Sequence, residues 1–509
     1  MFSPTVTHVE PQTRSQALTA IQARLFHEYG RSSQPARQLM TWLLDRRNLE
    51  AAWQRVAAAQ GADTPGVDGV RCRDIDQSID SWLSDLADDL LRRRYRPRSI
   101  RWVAIPKPNK PGETRRLGIL TVRDRVVHAA IKQVLEPIIE PKFLTTSFGF
   151  RPGRCVAGAL AEAVRGLSSN GDHPPQFIWV RQLDIAQCFD SLDHEILAAE
   201  LNRYVADPDL LHLIHKTIAT GATITGRLWW RRRLGVTQGS PLSPLLCNLY
   251  LHPLDVALDQ LAASLRGGVR LLRYADDLLL LASERQFGER ASELIRHILK
   301  KLRLKCRQPS PDLRQALEGV EWLGVRLQPK RRTWSPQKLF GYVIPDAKIL
   351  EMFERIKEMT EPPSSKIDSS AFNIGRWIVS VNEQLRDWRQ AYRFADNAAD
   401  VFADIDDLTR SRVFELIKRI TGSSADEVYR RFKVRLPRGF WTWEVPGARL
   451  VILSSLAPHA PSRLTHKPAW MKAAPDRVSP VPQQAAPPNQ DVPALPPPPK
   501  ADTPQDVTP

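Results

Sequence analysis

Asp276 and Asp277 are adjacent acids inside Val269-Arg270-Leu271-Leu272-Arg273-Tyr274-Ala275-Asp276-Asp277-Leu278-Leu279-Leu280-Leu281-Ala282. An extended strand would send neighbouring side chains to opposite faces, whereas a hairpin turn between the two runs can aim both acids one way. Aspartate is also a common turn former, so the pair alone does not define a site. A third acid changes the balance. Asp184 ends the strand pattern Phe177-Ile178-Trp179-Val180-Arg181-Gln182-Leu183-Asp184-Ile185, where an unpaired carboxylate is costly unless it serves a cation. Three hard oxygen donors facing one pocket, completed by triphosphate oxygens and water, suit Mg²⁺. Two such ions about 3.5–4 Å apart can clamp an in-line phosphoryl displacement, with Mn²⁺ as a substitute. One ion lowers the pKa of an attacking 3′-hydroxyl, and the other steadies the triphosphate and its leaving pyrophosphate.

Four segments have the chemistry to surround such a centre. Arg101 to Pro106 reads as a strand, followed by a Lys/Pro/Gly turn and a return strand to Ile119. It is either a solvated basic hairpin or a finger that holds a triphosphate or a nucleic-acid backbone through Lys107, Lys110, Arg115 and Arg116. In Thr237-Gln238-Gly239-Ser240-Pro241-Leu242-Ser243-Pro244, a glycine before a helix lets a substrate approach the backbone. Gln238 and Gly239 would contact the incoming nucleotide or the template. Phe189 lies just past the turn after Asp184, where a bulky ring could exclude a 2′-hydroxyl. Ser147-Phe148-Gly149-Phe150-Arg151-Pro152-Gly153-Arg154 mixes aromatics with Arg151 and Arg154, which suits base stacking and phosphate pairing, or else is an ordinary loop with a buried Phe. Asp190 or Ser191 is a candidate cap for the following helix, capping is the default role of Asp190 and Asp193, and His194 lies at the surface or close behind the site.

The elements that must position these residues are mostly helical. Leu39 to Ala59 reads as one helix with Leu39, Leu43, Leu44, Ala51 and Val56 inward. Ser78 to Arg94 reads as a second, with Trp82, Leu83, Leu86, Leu90 and Leu91 on one side. A third starts at the cap Thr121 and stops near Pro137. Pro244 suits the first turn of a helix that Pro253 should kink or break. Ala291 to Leu304 is a basic helix, and Glu321 to Leu327 is a strand pair around Gly324. Residues 345–425 read as about three helices, including Ile378 to Tyr392 and Val413 to Ile420. Arginines there alternate with Trp377, Trp388 and Tyr392, fitting either an RNA-facing helix pair or a plain bundle.

The chain has 509 residues, 42% of them hydrophobic, enough for about three domains. A net charge of +17 calls for a polyanionic partner. No apolar run reaches membrane-spanning length, no secretory signal opens the chain, and no basic amphipathic helix suits a membrane surface. The five cysteines form no C-x-x-C pair, which points to a reducing cytoplasm. The expected organisation is α+β: a flexible arm (1–35), a first domain (36–170), a second with the three acids (171–335), a helical domain (336–450) and a Pro-rich disordered tail (451–509).

The order and wording of the motifs resemble a reverse transcriptase of the group II intron type. The resemblance rests on Thr64-Pro65-Gly66-Val67-Asp68-Gly69, Ile105-Pro106-Lys107-Pro108, Arg116-Leu117-Gly118-Ile119, the Ser147–Gly153 loop, Leu183-Asp184-Ile185 with Cys188-Phe189-Asp190, Gln238-Gly239-Ser240-Pro241-Leu242, Tyr274-Ala275-Asp276-Asp277 and Trp322-Leu323-Gly324. It implies a right-hand polymerase with fingers, palm and a helical thumb or maturase-like domain. It also implies primer extension on an RNA template from dNTPs. By resemblance Asp184, Asp276 and Asp277 hold the metals, and Phe189 is the sugar-selecting aromatic. Lys107 (or Lys110), Arg116, Gln238 and Gly239 would meet the nucleotide. Arg151, Arg154, Tyr274, Trp322 and Gly324 would meet nucleic acid. The pattern departs from the family where Asp387-Trp388 replaces Gly-Trp, where Ser240 replaces a second glycine, and where a Pro-rich tail stands in place of a Cys-rich endonuclease domain. These departures leave open a maturase that chiefly binds intron RNA. They leave open equally a domesticated relative working with CRISPR integration proteins or in anti-phage defence.

Overall fold

The computed structural model describes residues 11–106, 114–170, 173–223, 233–308, 311–330, 339–361 and 373–455, together with Pro468 and Met471. The runs flanking Asp276 and Asp277 form an antiparallel hairpin, Val269–Tyr274 with Asp277–Ala282. Trp179–Asp184 pairs with the other edge of Asp277–Ala282, and Arg314–Gln315 completes a four-stranded sheet. Leu278 to Ala282 are all buried because this strand is covered on both faces. Leu278, Leu280 and Ala282 join a core with helices Ser243–Ser264 and Arg285–Lys301. Leu279 and Leu281 join another with helix Val156–Leu167, Trp322 and Phe340. Two-sided cover explains a continuous leucine run where a one-sided sheet would show alternation.

N-terminal to this sheet, helices Leu39–Leu44, Arg46–Ala57, Ile79–Leu91 and Val122–Ile139 pack together and carry the basic hairpin Ile100–Pro106 with Thr114–Ile119. C-terminal to it, Asp346–Thr360, Ile374–Tyr392, Ala398–Thr421 and Ala425–Phe432 enclose a separate core of Ile356, Ile378, Leu385, Ile405 and Trp443.

Several elements differ from the sequence reading. Leu39 to Ala59 is two helices, because the Asp45 side chain accepts from Arg47 N and starts the second one. Pro137 does not stop its helix. The Gln133 carbonyl that a proline cannot engage accepts instead from Gln22 Nε2 at 3.1 Å. Ser243–Ser264 likewise continues through Pro253. Leu91 is exposed while Leu83, Leu86 and Leu90 are buried. Part of the expected arm is ordered: Pro11–Leu25 is a helix with Leu18, Ile21 and Leu25 inward. That stripe has helical spacing but only three large apolar residues, too few to stand out. The C-terminal unit also carries a small sheet, Lys433–Arg435, Trp441–Val445 and Ala448–Arg449, which a purely helical reading omits. Most of the expected Pro-rich tail, and Lys107 and Lys110, lie outside the described residues; the tail's first residues are instead packed, with Leu453 buried and its N donating to Asp406 Oδ1 at 2.7 Å. Among the described residues no helix is long and apolar enough to cross a membrane.

Candidate active site

Strand register brings the three acids to one end of the sheet. Asp184 stands directly opposite Asp277, and Ile185 N donates to Asp276 O at 3.2 Å. The hairpin closes with Tyr274 opposite Asp277. Ala275 takes a φ of 58° at the first turn position, a conformation that glycine would accept more readily.

A buried clamp holds this strained turn. Arg273 is fully enclosed, with Nε 2.8 Å from Asp255 Oδ1 and Nη2 2.6 Å from Asp255 Oδ2. Its Nη1 donates to Asn248 Oδ1 at 2.8 Å and to Ala275 O at 3.2 Å. Asn248 Nδ2 in turn donates to Gly149 O at 2.8 Å. Phe148 N donates to Arg273 O, and Arg273 N to Thr146 O. A Cβ on Gly149 would lie 2.3 Å from Ala275 N, so only glycine lets the Ser147–Arg154 loop sit this close to the acids. Sequence reasoning missed this role of Arg273, Asn248 and Asp255. The signal was an arginine inside an apolar strand, which needs a buried acid somewhere in the chain.

Burial, then the neighbouring charges of Asp276 and Asp184, push the Asp277 carboxyl up to about 7; Arg307 and a Gln182 hydrogen bond oppose the shift. Asp276 is raised as well, first by burial and also by Asp184. Arg307 Nη1 lies 2.8 Å from Asp184 Oδ2. Among the described residues no three His, Cys, Asp or Glu are already gathered as a ligand set. The charge of Asp184 nevertheless helps raise the proton affinity of both Asp276 and Asp277, a concentration of negative charge that a hard cation would relieve.

The walls are built from the remaining motifs. Gly118 N donates to Gln238 O at 2.9 Å, which docks the basic hairpin onto the glycine loop. A Cβ on Gly118 would meet Thr237 Cγ2 at 2.3 Å, and Gly239, at φ 106°, leaves room for Gly118 O. Arg115 and Arg116 are exposed on that hairpin. Phe189 O accepts from Val236 N at 2.7 Å, tying the aromatic to the same loop. Of the two acids expected to cap, Asp193 caps helix His194–Asn202 through Glu195 N and Ile196 N, while Asp190 and Ser191 lie inside the short helix Cys188–Ser191. His194 is buried, with Nε2 2.7 Å from Gly235 O, and so is not at the surface.

Two expected nucleic-acid contacts, Arg151 and Trp322, are enclosed inside the protein instead. Arg151 is buried, paired with Glu140 and bonded to the carbonyls of Leu144 and Ser147, so its guanidinium is occupied inside the protein. Trp322 is enclosed in the core beneath the sheet. Gly324 forms the next turn with φ 79° after Leu323 at 51°, facing Tyr392 of the C-terminal unit. Arg154 is half-buried, donates to Thr145 O at 2.7 Å and lies over the Phe148 ring. Tyr274 is half-buried against the same core as Trp322.

Behind the glycine loop, His128 Nδ1 lies 2.6 Å from Ser240 Oγ, which accepts from Leu242 N at 3.1 Å. Burial holds His128 and His252 down at about 4, below the ordinary 6.5. Between those values the unfolded chain binds more protons than the folded one. Stability is therefore full above pH 6.5 and falls as the pH drops toward 4, by roughly 1.4 kcal/mol per pH unit for each histidine. Denaturant midpoints at pH 7.5 and pH 5 should show this loss, and His252→Gln should flatten the slope. An unchanged slope would place the acid sensitivity elsewhere.

The family model described as "Reverse transcriptase (RNA-dependent DNA polymerase)" matches residues 105–327, the stretch that holds all three acids and the loops around them. This defines a domain of the nucleotidyltransferase class. The chain is 31% identical over 355 residues to protein YkfC of Escherichia coli (strain K12), covering 61% of this chain and 92% of that protein. It is also 31% identical to the group II intron-encoded protein LtrA of Lactococcus lactis subsp. cremoris, over 44% of this chain and 35% of LtrA. It is 29% identical to a putative COX1/OXI3 intron 1 protein of Saccharomyces cerevisiae, over 41% of this chain and 23% of that protein. The chain belongs to the reverse transcriptase family, and group II intron-encoded proteins are among its relatives.

Proposed function

We propose that the protein is an RNA-directed DNA polymerase that extends a primer on an RNA template. One observation carries this reading above the others: register and turn geometry bring Asp184, Asp276 and Asp277 to a single sheet end, where the neighbouring acids help push the carboxyl pKa of Asp276 and Asp277 upward. On this reading residues 36–170 are fingers, 171–335 palm and 336–450 a thumb or maturase-like domain. Two Mg²⁺ ions (or Mn²⁺) held by the three acids would supply Lewis-acid activation of the 3′-hydroxyl and of the leaving pyrophosphate.

The protein's own task is positioning and charge. The exposed Arg116, with Lys107 or Lys110 of the segment before it in the sequence, neutralises the triphosphate. Gln238 and Gly239, docked against Gly118, line the nucleotide or template. Phe189 meets the sugar and excludes a 2′-hydroxyl. Arg154 stays near the surface, where it can reach a phosphate, and the net charge of +17 draws the nucleic acid in.

The intron-encoded relatives favour a second reading, a maturase that binds intron RNA without needing synthesis. All three acids are present and clamped in place, which supports the polymerase reading over it. Single-nucleotide primer extension with dNTPs against NTPs tests the proposal. A dNTP preference that Phe189→Ala abolishes is the expected result. A preference of the unmodified protein for NTPs would make it an RNA-making polymerase instead.

A further inference from the structure

Phe150 combines two features that do nothing for the stability of the fold. Its backbone is left-handed, with φ 59°, which is an outlier for a bulky side chain. Its ring is 50% exposed. The surrounding bonds impose both. Gly149, one residue earlier, is pinned against Ala275 N and held by Asn248. Arg151, one residue later, is locked by Glu140 and the carbonyls of Leu144 and Ser147. Between two fixed neighbours, the backbone has to turn Phe150 outward.

The outward ring meets Phe189, edge to face, with centroids 5.9 Å apart and planes at 87°. Phe189 is anchored independently of Phe150, its carbonyl accepting from Val236 N. The backbone bond fixes where the Phe189 ring starts, and the Phe150 edge limits how it tilts. The same loop is clamped to the hairpin that carries Asp276 and Asp277. Ring and acids therefore share one frame, set through Gly149, Asn248 and Arg273.

We propose that Phe150 is a positioning residue for nucleotide selection: its ring fixes the Phe189 ring in the orientation that excludes a ribonucleotide's 2′-hydroxyl. The inference rests on the polymerase reading above and names a specificity element within it. An aromatic edge contact corresponds to a factor of roughly 2 to 12 in a rate ratio.

The test is the ratio of kcat/KM for a dNTP over the matching NTP, measured on the full chain with Phe150→Ala, Phe150→Tyr, Phe189→Ala and the double variant, with melting temperatures as a check on folding. Phe150→Ala should lower the ratio by about 2- to 12-fold, and Phe150→Tyr should retain it. The double variant should match Phe189→Ala alone, because both changes act through one contact. A Phe150→Ala protein that loses dNTP and NTP use equally, with the ratio intact, would overturn the proposal and leave Phe150 a loop scaffold. Additive effects in the double variant would overturn it too. A wild-type protein that polymerises without dNTP preference would remove the Phe189 gate, and one that does not polymerise would remove the polymerase reading. Either of these overturns the proposal through the unmodified chain, and so is distinguishable from its own failure.

Discussion

Asp276→Ala is expected to lower nucleotide incorporation by roughly 10³-fold or more, equivalent to about 4 kcal/mol of lost charge stabilisation, while the melting temperature holds or rises slightly. The two halves of that result come from one cause. Asp276 is half-buried near Asp184, and its raised carboxyl pKa marks an acid whose charge is disfavoured in the folded chain. Removing it relieves the fold near neutral pH and takes a ligand from the site. A turn-forming aspartate would behave the other way, with a lower melting temperature and modest kinetics. Thermal melts and single-turnover extension on one preparation separate the two.

Arg273→Ala is expected to destabilise the protein by roughly 3–5 kcal/mol, the range for breaking one side of a buried ion pair. The side chains of Arg273 and Asp255 are 0% and 2% exposed, so the substitution leaves a carboxylate with neither water nor a cation. It also frees Ala275 O and Asn248 Oδ1, and with them the strained turn and the Gly149 loop. The denaturant midpoint reads the loss. Arg273→Met combined with Asp255→Leu should recover much of it, because two apolar groups of similar volume leave no buried charge unpaired. A single variant with an unchanged midpoint would show that the clamp does not hold the turn.

The acid hairpin was legible because its cues are local: two apolar runs, a two-acid turn, and a third acid ending a strand of the same kind. The glycine loop and the cap at Thr121 were legible for the same reason. What escaped depends on residues distant in sequence. Pro137 carries a breaker's local signal, but Gln22 satisfies the carbonyl it leaves open. Arg151 looked like a phosphate ligand because its partner Glu140 lies in a preceding segment that nothing in the loop reveals. Trp322 sits in a strand-turn motif that reads as exposed until the sheet's second covered face is known. Phe150 and Phe189 were visible as aromatics, whereas their contact required the left-handed backbone that only the Gly149 clamp explains.

The most direct test of the central claim is extension of a DNA primer annealed to an RNA template, with dNTPs and Mg²⁺ or Mn²⁺, comparing the unmodified protein with Asp276→Ala. Template-directed extension by the first and none by the second is the expected result. No extension by the unmodified protein with either metal ion would contradict the polymerase assignment.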